Sequence, residues 1–274
     1  MEGSKKLPKV VVYTCAVGNC DWIHRPRVTT GDIEFIRFSD QKPWLRRGWQ
    51  HRQLPEIPDA RTPRVLSRFP KLRPMDALSG ADIAVWIDSS VEITGDITPL
   101  IRCFDELGSD IALFPHPSGR TVNEEFDFAI AKGKIPPEFH EAARKQRDRY
   151  EKSGLLDHKI VEATIILYRL SRTELRQAGQ AWWQEITSYT ERDQVSQPFA
   201  MRDKRLRIHL WDWHFDDPNP YFRRMPHRPK PFVKRLKTGA HFLGDSRLDY
   251  RLVRSAIRAA GALRRTAGSL RFGP

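Results

Sequence analysis

The alternation of apolar and polar positions divides the chain into strands separated by helices. Apolar or β-branched runs predict strands over residues 9–14, 33–38, 83–87, 110–114 and 161–170. Amphipathic or charged runs predict helices over residues 67–79, 96–107, 137–153, 172–188 and 193–201. Residues 41–64 are rich in Pro, Arg and Trp and predict irregular structure. This order favours an α/β sheet with helices on its faces.

Four of the predicted strands lead into a polar residue: Thr14, Asp40, Asp88 and His116. Ligands of open α/β sheets bind beyond the carboxyl ends of the strands, so these residues are candidates for one cleft. Asp88 ends an apolar run, and Ser90 stands two residues later, where a second acid would have indicated a metal site. Asp-Ser-Ser is also ordinary turn chemistry, so the residues alone leave a turn and a binding site open.

Positive charge is concentrated at one end of the chain. The 274 residues contain 47 Lys and Arg against 34 Asp and Glu, a net charge of +13. Residues 221–274 hold fourteen Lys and Arg against two Asp and Glu, whereas residues 1–220 hold 33 against 32. The body is thus close to neutral, and no recognised nucleic-acid-binding motif accompanies the charge, so we expect no nucleic-acid partner.

The basic end predicts a separate helical tail. Residues 249–267 place apolar side chains on one arc of a helix and Arg on the other, at Arg251, Arg254, Arg258 and Arg265. We therefore divide the chain into a domain over residues 1–245 and a basic amphipathic tail over residues 246–274. The apolar arc could dock on the core, or the tail could lie on an anionic membrane.

Composition indicates a folded protein of a reducing compartment. Hydrophobic residues make up 39% of the chain, enough for a core, and its three cysteines are too few for a disulfide framework. We find neither a signal-peptide pattern nor an apolar stretch long enough to span a membrane. The expectation is a cytoplasmic protein, whose tail could reach the inner face of the cell membrane.

An ordered set of residues resembles a known family. The set is Tyr13-Thr14, Gly18, Asp21, Phe38-Ser39-Asp40, Arg68, Lys71, Val85-Trp86-Ile87-Asp88, His116, Arg120, Glu124-Glu125, Gln146, Tyr150, Gly154, Glu162, Trp182-Trp183 and Arg192-Asp193-Gln194. It resembles the glycosyltransferase-like domain of plant mucilage-related and turgor-defect proteins and their bacterial relatives, over roughly residues 8–202. That domain is similar in turn to retaining GT-A glycosyltransferases of the glycogenin and galactinol-synthase type.

The resemblance implies a GT-A-like mixed sheet and transfer of a sugar from a nucleotide donor, UDP-linked by expectation, to a glycan or lipid-linked glycan with retention. It implies donor binding at Thr14, Asp40, Arg68, Lys71, Asp88 and Ser90. It implies sugar or acceptor contacts at His116, Arg120, Glu125 and Arg192, and reacting groups at Asp193, Gln194 and Glu162. Lysine and arginine side chains can bind the negatively charged diphosphate of the donor, and a carboxylate such as Glu162 can accept the proton of the incoming hydroxyl.

Metal dependence is left open by the residues. The resemblance implies Mn²⁺ or Mg²⁺ held by an Asp-x-Asp pair, of which Asp88 alone has a counterpart because Ser90 replaces the second acid. His241, in a His-Phe-x-Gly segment, is a candidate further ligand. The missing acid also supports an alternative, a catalytically degenerate GT-A module that binds nucleotide sugar or glycan.

A second cluster offers a rival site within ten residues. His209, His214, Asp216 and Asp217 could bind a transition metal, although their spacing matches no helical His pair. The aromatic residues among them, Trp211, Trp213 and Phe215, alternatively suggest a lid or a platform for an acceptor sugar.

Overall fold

The structure is a computed structural model, and it describes residues 8–18, 21, 23–28, 33–42 and 48–226. The strands are β1 (Val10–Ala16), β2 (Ile33–Ser39), β3 (Gln50–Gln53), β4 (Ile83–Ile87), β5 (Val91–Ile93), β6 (Ile111–Pro115), β7 (Val161–Arg169), β8 (Ile208–Leu210) and β9 (Phe222–Arg224). The helices are α1 (Pro63–Leu72), α2 (Pro74–Ala77), α3 (Thr98–Glu106), α4 (Val122–Ala131), α5 (His140–Glu151), α6 (Thr173–Ser188) and α7 (Asp193–Met201), with a 3₁₀ turn at Pro137–Phe139.

Seven strands form one mixed sheet in the order β3-β2-β1-β4-β7-β6-β8. Strands β3, β2, β1 and β4 run parallel, and β7 runs antiparallel to both β4 and β6. The carboxyl ends of β1, β2, β4 and β6 therefore meet the amino end of β7 at the same edge. This edge is where the sequence placed its polar residues. A separate antiparallel pair joins β5 to β9.

Apolar side chains from both faces of the sheet build two cores. Tyr13 and Trp86 lie in the core shared with α1 and α6, and Val12 and Val85 lie in the core shared with α3. This division follows the period-two alternation of side chains along a strand. A third cluster joins α4 and α5 to Val195 of α7. The sheet is thus covered on both faces, which confirms the expected α/β class.

Several element predictions need correction. The predicted helix over residues 67–79 begins earlier, at Pro63, and restarts as α2 after Arg73. Residues 41–64 contain a strand, β3, and the helix α4 was not predicted at all. Thr14, expected just beyond a strand, lies inside β1 because that strand runs on to Ala16.

The described residues up to Met225 form one compact unit. Within them, no helix combines the length and the apolar content needed to cross a bilayer. The predicted tail helix over residues 249–267, the domain boundary at residue 245 and His241 lie outside the described residues and stay predictions.

Candidate functional site

One buried ammonium joins three elements at the polar edge of the sheet. The Lys71 Nζ atom lies 2.7 Å from Asp193 Oδ2 and 3.5 Å from Asp88 Oδ1. The indole N–H of Trp86 donates to the same Asp88 oxygen at 2.7 Å. Lys71 is only 2% exposed, so bulk water screens its interactions with the two carboxylates only weakly. The structure therefore brings together Lys71, Asp88 and Asp193, three of the residues predicted from the sequence.

Helix α1 delivers a row of cations to this cluster. Arg64, Arg68 and Lys71 are spaced four and three residues apart, which puts them on one helix face. Thr62 caps the helix by accepting a hydrogen bond from the Val65 amide at 3.1 Å. Arg68 Nε lies 3.3 Å from Asp193 Oδ2, so two cations of this face share one carboxylate.

Asp193 is buried and charged at the first residue of α7. Burial alone would raise the pKa of this carboxyl, but the positive charges of Lys71, Arg68 and Arg192 outweigh it and hold the pKa well below the usual range. Its Oδ2 atom is engaged by both Lys71 and Arg68. In this geometry Asp193 fixes the positions of the two cations, and its predicted catalytic role stays a prediction.

Glu162 and His116 face each other across two neighbouring strands. Pairing of Phe114 with Glu162 brings the end of β6 to the start of β7, and His116 Nε2 lies 3.9 Å from Glu162 Oε2. The amide of Thr164 donates to Glu162 Oε1 at 3.2 Å, and its hydroxyl donates to the same oxygen. Oε2 is thus the oxygen that Glu162 presents to His116.

Burial favours the neutral form of the His116 imidazole. Burial lowers its pKa below the ordinary value, and the nearby Glu162 charge opposes that effect only in part. The Ser118 amide donates to His116 Nδ1 at 3.2 Å, which leaves the ring proton on Nε2, on the side of Glu162.

A second carboxylate organises the arginines of the predicted acceptor side. Glu125 is buried on α4 and accepts from Arg120 Nε at 2.9 Å and from an Arg192 amino group at 2.8 Å. The same Arg192 amino group donates to the side-chain oxygen of Gln194 at 2.5 Å. All four residues were predicted from the sequence, and the structure joins them in one network.

The remaining predicted donor residues lie at the same edge with other contacts. Asp40 Oδ2 accepts from the Gly18 amide at 3.0 Å. Thr14 is buried, and its hydroxyl has no hydrogen-bond partner in the described part of the chain. Ser90 is also buried, and its backbone carbonyl accepts from the Met225 amide at 2.6 Å.

The described residues at Asp88 do not make a complete site for Mn²⁺ or Mg²⁺. Asp88 offers one carboxylate, and an ammonium 3.5 Å away would repel a divalent cation there. Across residues 8–18, 21, 23–28, 33–42 and 48–226, no group of three His, Cys, Asp or Glu is arranged to hold a metal. His241 lies outside these residues, so its role as a ligand stays a prediction.

The rival cluster serves mainly to pack and tie its own loop. Trp211 and Phe215 are buried in the core against Phe114, and Trp213 lies with its ring centroid 4.7 Å from that of Phe114. The ring Nδ1 of His214 donates to the Pro115 carbonyl at 3.1 Å. Two of the three aromatic residues therefore belong to the core and not to an open sugar platform.

Two site residues escaped the sequence analysis. Arg224 was counted with the basic tail, yet β9 carries its guanidinium to 3.6 Å from Glu162 Oε2 and 2.7 Å from Asp216. Arg64 was assigned to irregular chain because the predicted helix began at Ser67. The Thr62-Pro63 pair, a helix cap followed by proline, was the signal that could have found it.

Comparison with known proteins gives weak likenesses in fold. No family model and no curated protein matches the chain. Core-mannan synthase A of Aspergillus fumigatus, solved in a Mn/GDP form, is 10% identical with a TM-score of 0.48, over 82% of this chain and 77% of the other. The glycosyltransferase GlyE of Streptococcus pneumoniae is 11% identical with a TM-score of 0.47, over 93% of this chain and 64% of the other.

The galactosyltransferase LgtC, solved with donor and acceptor sugar analogues, is 13% identical with a TM-score of 0.42, over 73% of this chain and 72% of the other. Likenesses of this degree do not fix an activity, a donor or an acceptor for this chain. The narrower resemblance to the plant mucilage-related proteins is not confirmed. Function therefore has to be argued from the site itself.

Proposed function

We propose that this chain is a GT-A-like glycosyltransferase that moves a sugar from a nucleotide-sugar donor to a glycan. The observation that supports the proposal is the convergence of Lys71, Arg68 and Asp88 at the carboxyl edge of the sheet, beside the Glu162–His116 pair. Cations for a phosphate leaving group and a base for an incoming hydroxyl are the two requirements of glycosyl transfer. The site offers both on one edge.

Lys71 and Arg68 would stabilise the leaving diphosphate. As the bond between the sugar carbon and the diphosphate oxygen breaks, its electron pair leaves with that oxygen, and negative charge grows on the phosphates. The Arg68 guanidinium is 21% exposed and can contact a phosphate directly, whereas the buried Lys71 ammonium would add its positive charge from behind Asp88 and Asp193. Asp88, together with the Trp86 indole, would keep Lys71 aimed at the phosphates.

Glu162 would receive the proton from the acceptor. The acceptor oxygen forms a bond to the sugar carbon and loses its proton, which Glu162 Oε2 can take because Oε1 is held by Thr164. His116 and Arg224 lie 3.9 Å and 3.6 Å from Oε2 and would hold this carboxylate in place. No step is assigned to a metal, because the described residues do not fit one.

A UDP-linked donor and retention of configuration are proposed from the resemblance. The alternative is a degenerate module that binds nucleotide sugar or glycan without turnover. Ser90 in place of a second acid and the burial of Asp193 favour it. Binding without release of nucleoside diphosphate would identify the degenerate module.

An assay with a panel of nucleotide sugars distinguishes an active glycosyltransferase from the degenerate module. Purified protein would be incubated with UDP-, GDP-, ADP- and dTDP-sugars, and released nucleoside diphosphate measured. We expect release from at least one donor, and a fall of about tenfold or more in Asp88→Asn, because Asp88 would keep the Lys71 ammonium placed for the departing phosphates. Asp127→Asn is the matched control, because Asp127 is exposed and pairs with Arg147. Unchanged release in Asp88→Asn would remove this aspartate from the site.

The basic tail is proposed to hold the protein at an anionic membrane, where a lipid-linked acceptor would be found. A cytoplasmic location at the inner face of the cell membrane follows from this. Full-length protein and a full-length variant with Arg251, Arg254, Arg258 and Arg265 changed to Gln would be sedimented with phosphatidylserine vesicles. We expect only the wild type to co-sediment at physiological salt. Equal sedimentation of both forms would remove the membrane proposal.

A further inference from the structure

A small cavity lies beside the Arg192-Asp193-Gln194 segment, outside the Lys71 cluster. Its volume is about 120 Å³, and its lining includes Arg64 of α1, Lys134 of the turn after α4, and Thr190 and Glu191. None of these four residues was singled out by the sequence analysis. The cavity adjoins the face where the proposed acceptor would approach, because Glu191 directly precedes Arg192.

Two cations, Arg64 and Lys134, and one acid, Glu191, line this cavity. Within the described residues, neither Arg64 nor Lys134 has an ion pair or a hydrogen bond from its charged group, and Lys134 Nζ instead lies 4.7 Å from the ring centroid of Phe128. Burial lowers the pKa of the Arg64 guanidinium, and the positive charges of Arg68 and Arg192 lower it further, whereas the negative charges of Asp193 and Glu191 oppose this shift in part. Lys134 is exposed and solvated by water, whereas Arg64 is partly buried, lies near two further arginines and makes no direct ion pair among the described residues, so an anionic ligand would stabilise its charge.

The local field also favours an anion. Arg64 is the second residue of the ten-residue helix α1 and therefore lies at the positive end of the helix dipole. Glu191 is the acid among the lining residues, and its Oε1 atom is engaged by the Thr62 hydroxyl at 2.7 Å. The lining therefore carries two positive charges, from Arg64 and Lys134, against the one negative charge of Glu191.

We propose that this cavity binds the anionic group, a phosphate or a carboxylate, of an acidic sugar acceptor. Arg64 would meet two oxygens with its planar guanidinium, and Lys134 would add a point charge. That the anion is carried by the acceptor rests on the proposed function, whereas the anion site itself does not. A neutral sugar leaves both cations uncompensated and should bind more weakly.

Glucose 6-phosphate, glucuronate and neutral glucose are suitable probes, with inorganic phosphate as a free anion. Binding would be measured by ligand NMR, with ³¹P line width for the phosphates and saturation transfer for the sugars. The test variant is Arg64→Gln/Lys134→Gln. The matched control is Arg61→Gln/Lys132→Gln, two exposed cations that do not line the cavity. Equal unfolding midpoints would establish that all forms are folded.

We expect wild type and control to bind both acidic sugars more tightly than glucose, and the test variant to bind them at least about tenfold more weakly. Saturating UDP should leave this binding in place. Equal binding by test and control variants, no preference for acidic sugars, inorganic phosphate alone binding, or displacement by UDP would each overturn the proposal. Acidic-sugar binding as expected with no turnover of any donor would instead defeat the proposed function and leave the anion site standing.

Discussion

At the scale of single residues, the site depends on one lysine buried between two carboxylates. Sequence analysis singled out Lys71, Asp88 and Asp193 through the family resemblance, and Asp88 also because it follows a predicted strand. It did not predict that one ammonium would contact both acids, since that contact depends on how α1 packs against β4 and α7. Arg224 was missed for the same reason, because β9 returns it to Glu162 from 62 residues along the chain.

Loss of Lys71 should destabilise the fold strongly. Lys71→Met leaves the buried Asp193 charge with Arg68 as its remaining close side-chain partner among the described residues, and removal of one partner of a buried pair costs about 3–5 kcal/mol. The free energy of unfolding in urea measures the effect. Lys145→Met, which breaks an exposed pair with Glu141, is the control and should change little.

The double variant Lys71→Met/Asp193→Leu removes both charges and should recover part of the loss. If Lys71→Met unfolds at the same urea concentration as Lys145→Met, then Lys71 does not hold a buried charge in place.

The pKa of His116 should respond to Glu162. Burial lowers the pKa of His116 below about 6.5, and the Glu162 charge raises it again in part. In Glu162→Gln the opposing charge is gone, so the pKa should fall further, whereas Glu141→Gln should leave it unchanged. NMR titration of the imidazole signals measures both. A pKa that rises in Glu162→Gln would contradict the placement of these two groups.

The lowered pKa of His116 also determines how its contribution to folding stability changes with pH. A histidine whose pKa is lower in the folded state binds its proton more readily when unfolded. Its contribution to folding is therefore complete above the unfolded pKa of about 6.5 and decreases as the pH falls toward the folded value. Urea unfolding of wild type and His116→Gln should differ less at pH 5 than at pH 7.5.

At the scale of elements, α1 is the structural basis of the site, and its position is set by contact with α6. Sequence periodicity predicted α6 and α7 closely, because both carry regular apolar faces. It placed the start of α1 four residues late, since Pro-rich surroundings hid the Thr62-Pro63 cap. Strands β8 and β9 have three residues each, too few to show any periodicity.

Gly179 should be sensitive to the smallest substitution. A Cβ at this position would lie 2.3 Å from the Leu72 carbonyl oxygen, so Gly179→Ala must push α1 away from α6. Helix propensity alone would favour alanine by about 1 kcal/mol, but steric overlap of this kind costs about 1–3 kcal/mol. We expect net destabilisation in urea, together with weaker donor binding, because Leu72 follows Lys71.

Gln180→Ala, on the exposed side of the same helix, is the control and should change stability little. A Gly179→Ala protein more stable than wild type would show that α1 and α6 are not in close contact.

At the scale of the whole molecule, the strand order decides what the site can contain. Four strand carboxyl ends and the start of β7 share one edge, so residues far apart in sequence become neighbours. Alternating patterns were enough to predict this α/β class and its polar edge. They could not supply the strand order, and so could not show which edge residues touch or that Arg64 and Lys134 share a cavity.

The central claim is that protein cations at this edge, with no divalent metal, stabilise the departing diphosphate. The most direct test is the rate of nucleoside diphosphate release from the best donor, measured in EDTA and in Mn²⁺. We expect rates that agree within about threefold, because Lys71 and Arg68 supply the charge. A metal contributes several kcal/mol where it is required, so a loss in EDTA of about a hundredfold or more, restored by Mn²⁺, would show that a metal and not these cations stabilises the diphosphate.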